Sequence, residues 1–250
     1  MTAPLVEMTD IKKQYGNVTA LAGVDLAVRE SEVVGVLGDN GAGKSTLIKI
    51  LAGAVRPTAG QIKFKGSDVR FRNTRDAINA GIETIYQDSA LVAQMSIGRN
   101  LFLGREPTRS HGPFKSMDRS YIEKMTGELL KRVGIMKDID PSTPIDSLSG
   151  GERQAIAIAR AMFFEADLII LDEPTNNLGV EEADGVMRFI REARDSGHSS
   201  ILISHNIHHV FMVVDRIVVL RHGLKVGEVD RSQTSVQEIE ELITGTPRPS

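Results

Sequence analysis

The run Gly38–Ser45, which reads GDNGAGKS, matches the pattern G-x-x-x-x-G-K-[ST] of a phosphate-binding loop. It lies between the nearly apolar run Glu32–Leu37 and a predicted helix at about Gly43–Leu51. Glycines let backbone N–H groups surround phosphates at the positive end of the helix. Lys44 is placed to reach the β- and γ-phosphates, and Ser45 to bind Mg²⁺. The candidate nucleotide-binding positions of this phosphate loop are Gly38, Asp39, Asn40, Gly41, Ala42, Gly43, Lys44, Ser45 and Thr46.

A pair of carboxylates follows a second apolar run. Asp172 and Glu173 come directly after Leu168–Leu171, which reads as a buried strand. A nucleoside triphosphatase needs a carboxylate at a strand end to hold the Mg²⁺ shell, and Asp172 is predicted to do so through water. Glu173 is predicted to orient or deprotonate the attacking water. An Asp-Glu pair alone would indicate solvated charge, but the phosphate loop favours the catalytic interpretation.

The run Leu148–Gln154 reads LSGGERQ, a motif that other phosphate-loop proteins lack. With this signature motif, the chain resembles the ATP-binding subunit of an ABC transporter over nearly its whole length. Ser149 and the amides of Gly150 and Gly151 begin a helix, so they offer a hydroxyl, N–H groups and a positive dipole to a γ-phosphate. Ser149 and Glu152 also fit a capping box, and the two roles are compatible.

The resemblance implies that ATP and Mg²⁺ are the cofactors and that the signature motif contacts ATP on the opposite subunit. Tyr15 corresponds to the aromatic residue that stacks on adenine, and Val18 belongs to the same stretch. Gln87 corresponds to the glutamine that senses Mg²⁺ and water, and His205 to the histidine that contacts the γ-phosphate and the attacking water. The implied catalytic residues are Glu173, His205, Gln87 and Lys44, and the implied Mg²⁺ positions are Ser45, Gln87 and Asp172.

Two further histidines, His208 and His209, lie close to His205. Such a cluster could hold a metal ion. The phosphate-loop interpretation already gives His205 a role, so the other two are interpreted as structural or surface residues.

The elements that carry these residues alternate between β-rich and helical runs, which predicts an α/β protein. Alternation over Val24–Val28 indicates half-buried antiparallel strands. The resemblance implies a P-loop NTPase ABC cassette fold, with a mixed-sheet RecA-like core, an antiparallel β subdomain and an inserted α-helical subdomain. Other predicted strands are Gln61–Lys65, Ile82–Tyr86, Ser200–Ile203 and Ile217–Leu220, and other predicted helices are Thr74–Ala80, Gly150–Phe164 and Glu181–Arg194.

A single ATPase domain is expected over residues 1–246, with a frayed tail at 247–250. Residues 1–86 and 147–246 are predicted to form the nucleotide-binding core, and 87–146 the helical subdomain. Within it, Asp118 is predicted to cap a helix that Gly134 ends. The apolar face of that helix comprises Tyr121, Ile122, Met125, Leu129, Leu130 and Val133.

Composition narrows the function class. Lys and Arg number 30 against 33 Asp and Glu, a net charge of −3, so the basic surplus of a general nucleic-acid binder is missing. The chain has no Cys, which excludes disulfides and thiolate metal sites. The N-terminus does not resemble a secretory signal, and the longest apolar runs fall far below the ~20 residues of a membrane helix. A role at a membrane is therefore expected to need a partner.

The loop after Glu173 departs from the usual Ser-Ala-Leu-Asp of the family, since Asn176–Gly179 reads Asn-Asn-Leu-Gly. This substitution puts the usual cross-dimer contact of the loop in question. The Leu-Gly-Val variant at 178–180 resembles ATPase subunits that serve importers of ribose, xylose and fructose. Two other pairs of stretches agree with that subgroup: Tyr86–Asp88 with Asn100–Glu106, and Ile203–Asn206 with Val210–Phe211.

The resemblance implies a peripheral ATPase at the cytoplasmic face of the cell membrane. It would pair with a second copy or a paralogous subunit, drive a transmembrane permease, and serve an extracytoplasmic sugar-binding protein indirectly, with no nucleic-acid partner. One alternative keeps the transporter but changes the cargo to amino acids, metals or lipids. Another is a soluble ABC ATPase of DNA repair or translation, which is disfavoured because coiled-coil, zinc or tandem-cassette additions are missing.

Overall fold

The computed structural model describes residues 3–86, 91–111, 114–132, 139–176 and 178–245. The strands are β1 (Val6–Tyr15), β2 (Val18–Val28), β3 (Val33–Leu37), β4 (Ala59–Phe64), β5 (Ser67–Asp68), β6 (Ile82–Ile85), β7 (Thr108–His111), β8 (Phe114–Met117), β9 (Leu168–Asp172), β10 (Ser199–Ile203), β11 (Arg216–Arg221) and β12 (Leu224–Asp230). The α-helices are α1 (Lys44–Leu51), α2 (Thr74–Ala80), α3 (Ile97–Leu101), α4 (Arg119–Arg132), α5 (Gly150–Phe163), α6 (Val180–Asp195), α7 (Ile207–Val213) and α8 (Val236–Thr244).

One sheet is antiparallel and has the strand order β2-β1-β4-β5. In sequence, β1 and β2 precede the phosphate loop, and β4 and β5 follow α1. The strands of this sheet alternate between buried and exposed residues, as Leu21, Val24 and Leu26 show on β2. One face therefore packs on the core while the other meets solvent. This confirms the antiparallel β subdomain expected from the sequence.

The central sheet has the order β12-β11-β3-β10-β9-β6, and its five strands from β11 to β6 run parallel. Every residue of β3 is buried, as expected for a strand covered on both faces. The strand β12 joins the edge in antiparallel orientation, so the sheet is mixed. Because the carboxyl ends of parallel strands meet at one edge, the residues that follow β3, β9 and β10 converge there.

Three apolar cores hold these layers together in the described residues. One lies between the two sheets around α1 and includes Leu47 and Leu51. A second packs α5, α6 and α7 on the other face of the central sheet. The third joins α3 and α4 to α5 through Ile97, Ile122 and Ile156. The helical insertion thus has its own core, which rests on the helix that begins at the signature motif.

The helix predicted after Asp118 is present as α4. Asp118 Oδ1 accepts a hydrogen bond from the Tyr121 N–H at 3.1 Å, as expected for a residue that caps the helix. Val133 and Gly134 lie outside the described residues. Within residues 87–146, predicted to be a helical subdomain, the chain also forms the hairpin β7–β8, whose Phe114 is 76% exposed. A hairpin exposed to solvent does not need alternating apolar and polar residues, so the sequence lacks the pattern by which its strands could have been predicted.

No helix of the described residues is both long and apolar enough to cross a membrane. The boundaries at 86 and 147 between core and helical subdomain stay a prediction.

Candidate active site

The phosphate loop turns sharply between β3 and α1. Gly38 has φ +145°, and a Cβ there would overlap the carbonyl oxygen of Leu220 on β11. Gly43, the residue before α1, has φ +105°, and a Cβ there would lie 2.7 Å from the Leu21 side chain on β2. Only glycine fits both positions, because L side chains rarely adopt these conformations and the neighbouring strands leave no space.

The Lys44 side chain lies folded along the inner side of this loop. Its Nζ donates to the carbonyl oxygens of Gly38 at 2.5 Å and of Asp39 at 3.1 Å. Burial lowers the pKa of Lys44, while Glu173, Asp39 and Asp172 act in the opposite direction. The ammonium group thus has loop carbonyls and carboxylates around it, and phosphate oxygens are acceptors of the same kind.

Asp172 ends β9 beside the central strands. Burial and then the neighbouring Glu173 raise its pKa, and Lys49 and Lys44 counteract that shift. Because burial and Glu173 disfavour the charged form of Asp172, a bound cation would stabilise this carboxylate. The arrangement therefore suits a residue predicted to hold a Mg²⁺ shell.

Glu173 adopts φ +51°, which is uncommon for a residue with a side chain. Its N–H donates to the carbonyl oxygen of Ile203 at 2.9 Å, which fixes the turn against β10. Its Oε2 lies 2.9 Å from Nδ1 of His205 and also accepts from the His205 N–H at 3.4 Å. The two residues predicted to act on the attacking water are therefore in direct contact.

One cavity of about 690 Å³ lies at this edge of the central sheet. It has the size of a small-molecule site. Of the predicted site residues, those that line it are Gly38, Asp39, Asn40, Lys44, Ser45, Asp172, Glu173 and His205.

The signature motif begins α5, far from the phosphate loop in sequence. Ser149 Oγ accepts from the Glu152 N–H at 3.2 Å, and Glu152 Oε2 accepts from the Ser149 N–H at 2.9 Å. This confirms the predicted capping box. In the described part of the chain, no residue from Ser149 to Glu152 lines the cavity of the phosphate loop.

Comparison with known proteins agrees with this geometry. The sequence profile described as ABC transporter matches residues 21–176. The chain is 40% identical to the fructose import ATP-binding protein of Rhizobium meliloti, over 98% of this chain and 96% of that protein. The chain belongs to the ABC transporter family. This ABC subunit binds ATP and is an ATPase coupled to transport.

Other relatives of the ABC subunit differ in length. It is 42% identical to the xylose/arabinose import ATP-binding protein of Sulfolobus acidocaldarius, over 96% of this chain and 94% of that protein. It is also 42% identical to a ribose import ATP-binding protein of Rubrobacter xylanophilus, where it covers 90% of itself but 44% of the relative. The chain thus spans nearly all of some relatives and under half of others.

Solved structures confirm the fold of the ABC subunit. A nucleotide-free ATP-binding cassette of an ABC transporter superposes with a TM-score of 0.81 at 22% identity, covering 98% of this chain and 96% of that one. A cassette in its ADP conformation gives 0.81 at 24% identity, with 97% and 96% covered. The predicted ABC cassette fold, with its mixed sheet, is therefore confirmed.

Tyr15 and Val18 lie at the turn between β1 and β2 of the ABC subunit. Tyr15 is 46% exposed and Val18 66% exposed, and Lys13 Nζ lies 4.9 Å from the Tyr15 ring centroid. These side chains do not line the cavity of the described residues. An exposed ring suits stacking on adenine, which stays a prediction.

Other predicted positions have different outcomes. Gln87 and Asn177 lie outside the described residues. Thr46 belongs to α1, one residue beyond the cavity wall. Thr175 Oγ1 lies 3.0 Å from Nδ1 of His209, so that histidine supports the loop after Glu173, in keeping with its structural interpretation.

Two features near the carboxyl end of the central sheet were not predicted from the sequence. The pKa of Tyr86 is raised by burial and then by the charge of Asp172. The helix α8 contributes Glu240, Ile243 and Thr244 to the cavity wall. Its start carries a capping box at Ser235–Glu238, which could have predicted the helix but not its place beside the phosphate loop.

Replacing Asp172 with Asn should stabilise the nucleotide-free protein while weakening Mg²⁺-dependent nucleotide binding. A pKa raised in the folded state means that this carboxylate contributes stability only at low pH, and that the contribution is lost as pH rises through the raised value. At neutral pH the neutral amide removes this cost, so Tm should rise by about 2 °C. Thermal melting without nucleotide and nucleotide titration with and without Mg²⁺ measure the two effects. An unchanged or lower Tm would contradict the electrostatic argument.

Proposed function

We propose that two copies of this ABC subunit close over two ATP molecules and power a permease that imports a monosaccharide. This proposal rests on one observation: within the described part of one chain, the signature motif and the phosphate loop do not line the same cavity. The phosphate loop and the Glu173–His205 pair line one cavity, whereas the helix start of the signature motif, Ser149–Glu152, is not among the described residues that line it. A second chain would bring that helix start to the cavity, as the family resemblance implies.

Mg²⁺ suits the residues present. Ser45 and Asp172 line the same cavity and offer hydroxyl and carboxylate oxygens, the donors that Mg²⁺ prefers. They would hold the ion together with Gln87, with Asp172 acting through water. Bound Mg²⁺ would neutralise phosphate charge during transfer to water.

The residues of the chain divide the work of hydrolysis. Lys44 would exchange the carbonyl oxygens of the phosphate loop for β- and γ-phosphate oxygens. Glu173 would accept a proton from the attacking water, and His205, in contact with Glu173, would orient that water toward the γ-phosphate. Ser149 and the amides of Gly150 and Gly151 would receive the phosphate bound by the other copy.

Two observations support sugar import as the function of the transporter. The relatives reported above are named for fructose, xylose/arabinose and ribose import. The loop at Leu178–Val180 carries the variant that resembles the same group. Uptake by proteoliposomes containing the whole transporter would test this, with ribose, xylose and fructose compared against amino acids. Uptake of an amino acid alone would favour the alternative cargo.

The permease is proposed to bind at the cytoplasmic face of the membrane, on the side of the helical insertion. A cleft of about 200 Å³ lies there between β6, α2 and α5, and its lining includes Glu83, Leu91 and Arg160. An extracytoplasmic sugar-binding protein would act through that permease. Affinity purification from membranes should recover a polytopic protein, and recovery with ribosomes or DNA instead would favour the soluble alternative.

Replacing Ser149 with Arg should block closure of the dimer and lower ATPase activity by about 100-fold or more, because a long cation would fill the space meant for phosphate. Nucleotide binding by the monomer should persist, since the phosphate loop is untouched. The matched control is Ser196→Arg, at an exposed position at the end of α6. Fluorescent-ATP titration and steady-state ATPase assays separate the two properties. An ATPase rate equal to that of the control would contradict the shared site.

A further inference from the structure

The beginnings of α5 and α6 are in close contact within one chain. A Cβ on Gly150 would lie 2.6 Å from the Leu178 side chain, and one on Gly151 would lie 2.8 Å from the Cβ of Glu182. Real side-chain contacts do not reach these distances. Gly151 is therefore needed for packing against the first turn of α6, whereas the end of the Leu178 side chain could move away from a Cβ at Gly150.

The Glu182 carboxylate bridges the two helix starts. Its Oε2 accepts from the Gly179 N–H at 3.1 Å, and its Oε1 accepts from the Gly151 N–H at 3.3 Å. Hydrogen bonds from Gly179, Gly151 and the Ser149 side chain hold the pKa of Glu182 below its ordinary value. The side chain is therefore an anion at neutral pH, where it complements the positive ends of both helices.

The segment that Glu182 contacts is also hydrogen-bonded to the backbone of Glu173. The Asn176 N–H donates to the Glu173 carbonyl oxygen at 3.1 Å, and the Leu178 N–H donates to Thr175 at 3.3 Å. These turns lead directly to Gly179 and the Glu182 carboxylate. The signature motif, through Glu182, therefore contacts the same segment whose first turn is hydrogen-bonded to the Glu173 backbone.

We propose that Glu182 is a positioning residue that couples the signature motif of each chain to the Glu173 of the same chain. In the proposed dimer, the signature motif contacts the nucleotide of the other copy, so the contact would link the two ATP sites. The Glu182 carboxylate also provides an acidic group at the start of α6, where Gly179 replaces the Asp usual in the family. This inference rests on the proposed dimeric function.

The test compares Glu182→Ala and Glu182→Gln with Glu181→Ala, an exposed neighbour in the first turn of α6. ATPase rates across ATP concentrations give kcat, KM and the Hill coefficient. The Ala variant should lose about three- to tenfold in kcat, as expected for one charged hydrogen-bonded bridge, and its Hill coefficient should fall toward 1. KM and fluorescent-ATP binding by the monomer should stay near wild type. The Gln variant keeps one acceptor oxygen but loses the charge and turns its NH₂ group toward one of the two N–H donors, so it should recover only part of kcat and cooperativity.

Several outcomes would overturn the inference. One is a Glu182→Ala variant with the kcat and Hill coefficient of Glu181→Ala. Another is a faster ATPase, which would mean that the carboxylate only competes with phosphate for the Gly151 amide. A third is a lower Tm that accounts for the loss, with cooperativity unchanged, which would mean helix capping alone. Failure of the wild-type chain to hydrolyse ATP would instead contradict the proposed function itself.

Discussion

Replacing Glu173 with Gln should lower the ATPase rate by about 10²- to 10⁴-fold, the range for loss of a general base. ATP binding should persist, because Lys44 and the phosphate loop are unchanged. The amide keeps the shape of the carboxylate and its place beside His205, whose Nδ1 lies 2.9 Å away. With hydrolysis blocked, ATP should accumulate between two chains and convert monomers to stable dimers. Steady-state ATPase assays and size-exclusion chromatography with ATP–Mg²⁺ measure both effects.

The matched control is Glu123→Gln, at an exposed position on α4. It changes the net charge equally and leaves the cavity intact, so its rate should equal that of the wild type. Near-normal turnover by the Glu173→Gln variant would exclude Glu173 as the base. Loss of ATP binding in that variant would instead mean that the carboxylate mainly organises the nucleotide cavity.

Replacing Lys44 with Ala should weaken ATP binding by about 100-fold and abolish measurable hydrolysis. Nζ is the cation that contacts the carbonyl oxygens of Gly38 and Asp39 at the inner side of the phosphate loop. Hydrogen bonds to charged groups are worth about 1.5–3 kcal/mol, and an unpaired charge in a partly buried site costs more. The carboxylates of Asp172 and Glu173 would also repel the phosphates more strongly without it.

Fluorescent-ATP titration measures the affinity, and Lys124→Ala is the control. Lys124 is an exposed lysine on α4 that pairs with Glu128 at 4.0 Å. Surface pairs of this kind contribute little, so the control should bind ATP like the wild type. A Lys44→Ala variant that retains wild-type affinity would show that phosphates bind elsewhere.

The chemistry of this chain was predictable where backbone geometry and residue type are coupled. The phosphate loop needs glycine at Gly38 and Gly43 because neighbouring strands exclude a Cβ there. The sequence predicts separate roles for Glu173 and His205 but not their contact, which arises because β9 and β10 are adjacent parallel strands whose following residues meet at one edge of the sheet. The capping box at Ser149 was local and therefore readable from spacing alone.

Other features depended on long-range packing that a single sequence does not encode locally. The hairpin β7–β8 has little buried apolar surface, so its strands gave no alternating signal. The helix α8 reaches the cavity only because β11 and β12 return the chain to the central sheet. The bridge from Glu182 to Gly151 joins residues 31 positions apart, and no motif predicts that contact.

The shared ATP site can be tested most directly by mixing two defective chains in the Glu173→Gln background. One chain also carries Ser149→Arg and the other Lys44→Ala. Each chain alone lacks one half of both sites, whereas a mixed dimer has one intact phosphate loop facing one intact signature motif. If the site is shared, only the mixture should retain ATP through size-exclusion chromatography, with a single ATP per mixed dimer. A mixture that retains no more ATP than its parents, while the Glu173→Gln chain alone retains it fully, would contradict a site shared between two chains.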